Sequence, residues 1–217
     1  MKGLLIKDFK LMLMQKNFFI IIIVVACLMS ISSQDSTFMI GFITFILSLF
    51  TVSTISYDEF DNGYPFLFTL PISRSLYVKE KYVLSLILGL GSLILATVIC
   101  AIITLFKNNI PLFDLLMMAL MILPYIILVQ AIMIPFQLKF GAERGRIAII
   151  GVLGAIILLG ILIFQGLKIL KINFAVIVKQ ISVLDIRVLG LILIILAMMI
   201  LFISLIISIK IMKQKEF

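Results

Sequence analysis

Long apolar runs alternate with short polar or charged stretches along the whole chain. A transmembrane helix needs about 20 mostly apolar residues, and six runs come near or exceed that length. They predict spans at about 18–32, 37–56, 82–106, 112–136, 147–166 and 188–209. Little chain remains outside these runs, so no separate soluble domain fits. The pattern therefore predicts an all-α, polytopic membrane protein with one transmembrane domain over residues 1–217.

The segment before the first span mixes apolar residues with lysines. Residues 1–17 contain Lys2, Lys7, Lys10 and Lys16 among leucines, methionines and isoleucine. This composition predicts an amphipathic helix that lies along the membrane surface, and a plain juxtamembrane anchor explains it equally well. The apolar run that follows lacks a small-residue cleavage site, so we interpret it as a retained first span.

Composition and charge support a membrane location. Hydrophobic residues make up 64% of the chain and charged residues 13%, and a soluble fold of this length could not bury so much apolar surface. In a soluble protein the net charge of +8 would suggest nucleic acid. Here the basic residues lie between apolar runs, where they orient helices and meet anionic membrane lipid, so we predict no nucleic-acid partner.

The distribution of basic residues predicts the orientation. With a cytoplasmic N-terminus, 13 of the 18 lysines and arginines fall on the inner side, which favours a plasma-membrane protein with both termini cytoplasmic. The basic stretch 167–187 departs from this pattern on the outer side. We interpret it as an interfacial or re-entrant segment, and a miscounted span is the alternative.

The residues needed for catalysis are missing. The chain has no histidine, and no glycine is followed by the Lys-Ser/Thr pair of a phosphate-binding loop. No ionisable residue lies near the middle of a predicted span, so ion coupling lacks its usual marker. Asp58, Glu59 and Asp61 have the chemistry of metal ligands but no defined ligand spacing. We therefore predict no enzyme activity, no metal and no cofactor bound by this chain.

Small and hydroxyl residues mark particular faces of the spans. In the third span, residues 85, 89, 92, 96 and 100 are Ser, Gly, Ser, Ala and Cys, and such a stripe predicts close helix packing in lipid. The sixth span has a similar stripe at Gly190, Ala197 and Ser204. Thr44, Ser48 and Thr51 of the second span either line a translocation path or bond to their own helix backbone.

The long loop after the second span combines acids with aromatic residues. Its acidic start, Asp58-Glu59, favours a helix N-terminus, and the aromatic residues after it are too apolar for a purely solvated loop. An exposed apolar and acidic element beside a membrane is typical of a docking surface for another protein. A loop packed against lipid headgroups is the alternative.

Several motifs together resemble the permease subunits of type-2 ABC (ATP-binding cassette) exporters. They are the opening Lys-Gly-Leu-Leu-Ile-Lys-Asp-Phe, Tyr57-Asp58-Glu59 followed by Leu70-Pro71-Ile72-Ser73-Arg74, the Tyr77-Val78-x-x-Lys81-Tyr82 entry to the third span, and Phe140-Gly141-x-Glu143-x-Gly145-Arg146. The resemblance spans nearly the whole chain. Small members of this family include phenol-soluble modulin exporters and lantibiotic-immunity transporters.

The resemblance implies a division of labour between subunits. Two permease chains, identical or paralogous, would enclose a path for an amphipathic peptide. Two copies of a separate ATPase subunit would bind ATP and Mg. The loop after the second span would contain the coupling helix that seats in the ATPase, with contacts at Asp58, Glu59, Phe60, Asp61, Tyr64, Phe66, Phe68 and Leu70. A second cytoplasmic contact would comprise Lys139, Glu143, Arg144 and Arg146.

Two other classes of protein remain open from sequence alone. One is a membrane scaffold or peptide-immunity factor that sequesters its peptide without ATP. The other is a secondary transporter, which would normally show intramembrane charge or broken helices repeated between halves. The missing phosphate-binding loop favours a permease that depends on a partner for energy.

Overall fold

The computed structural model describes residues 1–32, 38–60, 63–107, 111–169 and 186–215, and it describes the side chains of these residues except 31–32, 107 and 142–169. Every regular element in these ranges is a helix. The helices are α1 (Lys2–Met14), α2 (Lys16–Ser32), α3 (Phe38–Ser48), α4 (Phe50–Glu59), α5 (Gly63–Thr69), α6 (Arg74–Lys107), α7 (Leu112–Ile169) and α8 (Ile186–Gln214). The all-α, polytopic prediction is confirmed.

The described helices supply four candidate spans by length and apolarity: Phe38–Glu59, Arg74–Phe106, Leu112–Gly141 and Ile186–Gln214. A fifth candidate is the pair α1 and α2, which bends by 62°. The first predicted span, 18–32, thus corresponds to α2, the second of the two helices that meet at this bend. The fifth predicted span, 147–166, lies within the helical backbone of α7, and its side chains lie outside the described residues. The predicted count of six is therefore not established.

Two apolar clusters divide the bundle into two ends. One cluster joins Leu4, Ile55, Tyr77, Leu138 and Met212. The other joins Ala26, Ile40, Ala96, Cys100 and Leu115. Residues at the start of α6 belong to the first cluster and residues further along it to the second, so the long helices run from one end of the bundle to the other.

The first end gathers α1, α5, the start of α6 and the C-terminus. Arg74 donates to the carbonyl oxygens of Met212 and Lys213, at 3.3 and 3.0 Å. Gly190, near the start of α8, instead lies against Leu120 of α7 at the other end. Both termini therefore lie at one end of the bundle, as the predicted topology requires.

The predicted small-residue stripes do lie in helix contacts. Ser85, Ala96 and Cys100 of α6 are fully buried, and the Gln130 amide of α7 donates to the Ser85 carbonyl at 2.9 Å. Gly190, Ala197 and Ser204 line the buried face of α8. Because small side chains let backbones approach closely, these stripes bring polar groups of neighbouring helices within hydrogen-bonding distance.

The hydroxyl residues of the second span are buried inside the chain. Thr44 donates to the Ile40 carbonyl at 2.5 Å and Ser48 to the Phe45 carbonyl at 2.8 Å, each within its own helix. Thr51 is also fully buried, and its hydroxyl has no hydrogen-bonding partner among the described residues. For Thr44 and Ser48 the structure thus favours the second interpretation, in which the hydroxyls bond to their own helix backbone and do not line a translocation path.

The orientation across the membrane can be tested with single cysteines. We expect Asn108→Cys, in a background with Cys27→Ala and Cys100→Ala, to react with a membrane-impermeant maleimide added to whole cells. Thr69→Cys should react only after the membrane is permeabilised, since residue 69 lies at the end with both termini and the basic bias places that end inside. The reverse labelling pattern would show that the orientation is inverted.

Candidate functional site

The segment between α4 and α6 forms a short helix flanked by two turns. Helix α4 ends at Glu59, and Phe60 follows with extended backbone at φ −59° and ψ 143°. A side chain at Gly63 would bring its Cβ to 2.6 Å from the Asp58 carbonyl oxygen, so only glycine fits where α5 begins. Ser73 accepts from the Leu76 amide at 3.2 Å and so caps α6.

The acidic pair Asp58-Glu59 lies at the end of a helix and not at its start, contrary to our prediction. Carboxylates at a helix C-terminus are unfavourable beside the helix dipole. Here each carboxylate has a cationic partner from elsewhere in the chain. Asp58 pairs with Lys7 of α1 and with Lys81 of α6, and Glu59 pairs with Lys215. Tertiary pairing therefore outweighs the local preference.

A buried ionic cluster lies directly behind the segment. The Lys81 ammonium is 2.8 Å from Asp58 and 2.5 Å from Asp8, and the Tyr77 hydroxyl donates to Asp58 at 3.0 Å. Lys81, Asp8 and Tyr77 are essentially inaccessible to solvent. Buried charges are tolerated only when they are paired, so this cluster fixes α1, α4 and α6 relative to one another.

Our sequence interpretation missed this cluster because it placed Lys81 in a loop. The structure begins α6 at Arg74, which puts Lys81 two turns inside the helix. Tyr77 and Lys81 are four residues apart and share one helix face, and both reach Asp58. That spacing, within the Tyr77-Val78-x-x-Lys81-Tyr82 motif, is the signal that could have revealed the pairing.

Three aromatic rings pack on the inner face of α5. Tyr77 meets Tyr64 and Phe68 edge to face, with ring centroids 5.9 and 6.0 Å apart. Tyr64 and Phe68 stack at 6.2 Å. Burial raises the pKa of the Tyr64 phenol above its ordinary value, so this side chain remains neutral at physiological pH. The rings and the ionic cluster together give α5 a rigid backing.

The C-terminus and α7 complete that backing. The Lys215 ammonium donates to Glu59 at 3.0 Å and to the Leu138 carbonyl at 3.3 Å, and it lies 5.0 Å from the centroid of the Tyr64 ring. A lysine that satisfies a carbonyl near a helix end also complements the helix dipole. Lys215 therefore connects α5 to the end of the candidate span in α7.

The predicted basic loop 139–146 is instead a break within a helix. Gly141 has φ 75° and interrupts the helical backbone of α7, whose assignment continues to Ile169. The Glu59 carboxylate lies 2.6 Å from the position of a Cβ on Gly141. Gly141, which lies within the predicted contact segment 139–146, is therefore next to Glu59 of the first predicted contact. Lys139 lies with its ammonium 5.2 Å from the Phe140 ring centroid. The side chains of Glu143, Arg144 and Arg146 lie outside the described residues.

The predicted contact residues separate into an outer and an inner group. Phe60 and Phe66 are 73% and 74% exposed, and Leu70 is 46% exposed. Asp58 and Tyr64 face inward and are occupied by contacts within the chain, so in this conformation they support the segment and do not form its surface. Phe68 packs partly against the core, Glu59 is held by Lys215, and Asp61 lies outside the described residues.

Comparison with known proteins identifies the chain. Its residues 3–213 match the family described as ABC-2 family transporter protein. No curated protein and no solved structure matches it. Because the family match covers nearly the whole chain and the described fold is helical with several candidate spans, the protein belongs to the ABC-2 transporter family and is a membrane-spanning permease component of an ABC transporter.

Proposed function

We propose that this permease belongs to an ATP-driven exporter and that a separate ATPase subunit docks on the outer surface of α5. The observation that supports this best is the exposure of three apolar side chains in a rigidly backed segment: Phe66 on α5, Phe60 before it and Leu70 after it. Exposed aromatic side chains on a fixed element are typical anchors at protein interfaces. A connector packed only against headgroups would not need the buried ionic cluster behind it.

Movement of α5 would spread through the contacts already described. A shift of α5 would act on α6 through Tyr77 and on α8 through Lys215, because both residues contact Tyr64. Asp58 and Lys81 would carry the shift to α4 and α1. Packed elements with several fixed contacts move as units. Nucleotide-driven motion of the ATPase would thus rock the helices as a body.

The partners follow from the surfaces that one chain leaves exposed. Ile195, Met199, Phe202 and Ile203 of α8 are all more than half exposed, which suits either lipid or a second permease chain. In the proposed assembly two permease chains, identical or paralogous, enclose the path and two ATPase subunits bind ATP and Mg.

An amphipathic peptide is the proposed cargo, because the apolar runs contain few charges. The plasma membrane is the proposed location, with α5 on the cytoplasmic side.

The energy source provides the direct test. The purified chain in detergent should neither hydrolyse ATP nor bind it tightly, whereas co-expression with its ATPase subunit should yield a complex that hydrolyses ATP. In proteoliposomes that complex should move an amphipathic peptide, and replacing the ATPase's catalytic base should stop transport. Peptide binding without a co-purifying ATPase would identify a sequestering scaffold instead. ATP hydrolysis by the isolated chain would contradict the permease proposal.

A further inference from the structure

The bend between α1 and α2 leaves an apolar groove between these two helices and α6. It encloses about 410 Å³, within the range of small-molecule sites. Helices α1 and α2 form its two arms and α6 its floor, with lining side chains that include Phe9, Leu13, Phe19, Ile23 and Leu95. The 62° bend separates the two arms, so the groove is a consequence of the broken element.

The depth of the groove depends on Gly91 of α6. Gly91 lies among its lining residues, and a Cβ added there would meet no atom within 4 Å. The space above this glycine is therefore open among the described residues. An unfilled apolar space forfeits van der Waals contacts on its whole lining, so an apolar occupant is favoured.

The charge of the groove identifies that occupant. Lys16 is the single charged residue in the lining, and it is exposed, as is Lys10, which lies six residues earlier on the other arm of the bend. Among the described residues neither lysine has an acidic group within 4.0 Å, and the acids at this end pair with Lys7, Lys81 and Lys215. An apolar space beside a cation that has no ion-pair partner among the described residues complements a molecule with an apolar tail and an anionic head.

We infer that this groove binds one anionic phospholipid, with an acyl chain over Gly91 and the phosphate at Lys16. A second copy of the chain is a poor occupant, since the acids described at this end of it are buried or already held in ion pairs and would leave Lys16 without an anionic partner. A bilayer supplies anionic lipid at high local concentration, and basic residues at its surface attract such lipid. The bound lipid fills the angle of the bend and supports α1, which contributes Asp8 and Lys7 to the ionic cluster.

The test uses the full chain in nanodiscs made of phosphatidylcholine with a trace of spin-labelled phosphatidylglycerol or phosphatidylcholine. Wild type should immobilise at least twice as much labelled phosphatidylglycerol as labelled phosphatidylcholine. Lys16→Gln should abolish that excess. Gly91→Leu should abolish it by filling the groove, since a Cβ added at Gly91 meets no atom within 4 Å and the side chain extends from there into the open space.

Two matched controls should retain the excess. Lys210→Gln removes an exposed lysine outside the groove, and Gly41→Leu adds the same side chain at another glycine with open space around it. Equal immobilisation of the two lipids by wild type, or an excess that survives Lys16→Gln, would overturn the inference. A disulfide-linked dimer formed by Gly91→Cys in a cysteine-free background would also overturn it by placing a second chain in the groove. Should Gly91→Leu fail to fold, Lys16→Gln decides alone.

Discussion

Replacement of Lys81 by methionine should lower the thermal unfolding midpoint of the purified chain by about 6–12 °C. Lys81 is fully buried and pairs with both Asp8 and Asp58. Removing one partner of a buried ion pair costs about 3–5 kcal/mol, because the other charge is left without compensation. About 3 kcal/mol corresponds to this shift for a chain of this size. Lys7 contacts both acids and partly compensates their charge, so the loss of unfolding free energy should lie at the lower end of this range.

Unfolding can be followed with a thiol-reactive fluorophore in a Cys27→Ala background, because Cys27 is only partly buried. The remaining thiol, Cys100, is fully buried in the folded chain and becomes reactive on unfolding. Lys79→Met is the matched control, because Lys79 is exposed two residues earlier on the same helix; it should change the midpoint little. Adding Asp8→Asn to Lys81→Met should recover at least half of the loss, since it removes one uncompensated carboxylate. An unchanged midpoint for Lys81→Met would show that the cluster does not hold α1, α4 and α6 together.

Phe66→Ala should weaken binding of the ATPase subunit about thirtyfold while leaving membrane insertion and the thermal midpoint unchanged. Phe66 is 74% exposed in the isolated chain, so its removal costs little internal packing. Aromatic anchors buried at an interface contribute about 2 kcal/mol or more on truncation, and about 2 kcal/mol is roughly thirtyfold in affinity. Affinity can be measured by biolayer interferometry with the chain in nanodiscs and the ATPase in solution.

The control is Phe106→Ala, because Phe106 is 86% exposed near the opposite end of α6 and should not affect ATPase binding. Charge reversal at Glu59 alone is a poor test, since it also breaks the pair with Lys215. The exchange Glu59→Lys with Lys215→Glu retains an internal pair but removes the contacts of Lys215 with the Leu138 carbonyl and the Tyr64 ring, so it reports on docking only where its thermal midpoint is unchanged. Normal assembly and export by Phe66→Ala would make α5 a headgroup-packed connector, even though the chain remains an ABC-2 permease.

Hydropathy and side-chain size predicted the helices and their contact faces. In lipid every backbone polar group must be satisfied within the segment, so a long apolar run has little alternative to a helix. The stripe at Ser85, Ala96 and Cys100 predicted a buried face for a similar local reason, since small side chains permit close approach. These features depend on composition and spacing within one segment, and the sequence contains both.

The role of the acids and lysines could not be predicted in this way. Asp58 looked like a residue on a docking surface, but its carboxylate is held by Lys7, about fifty positions earlier, and by Lys81, two helices later. Lys81 looked like the last residue of a loop because it is charged and the apolar run of the third predicted span begins directly after it. In the structure α6 already includes Lys81, which is buried because Asp8 and Asp58 pair with it. The cost of burying a charge depends on such partners, and the local sequence does not specify them.

The sequence by itself determined that this is a helical membrane protein without a phosphate-binding loop, and its motifs resembled the family to which it belongs. Only the tertiary structure decided which residues of the 58–70 segment face outward, placed Gly141 against Glu59, and opened a groove at the bend before α2. The physical reason is that hydrophobic transfer into lipid is a property of each segment, whereas ion pairing and exposure depend on which distant segments meet.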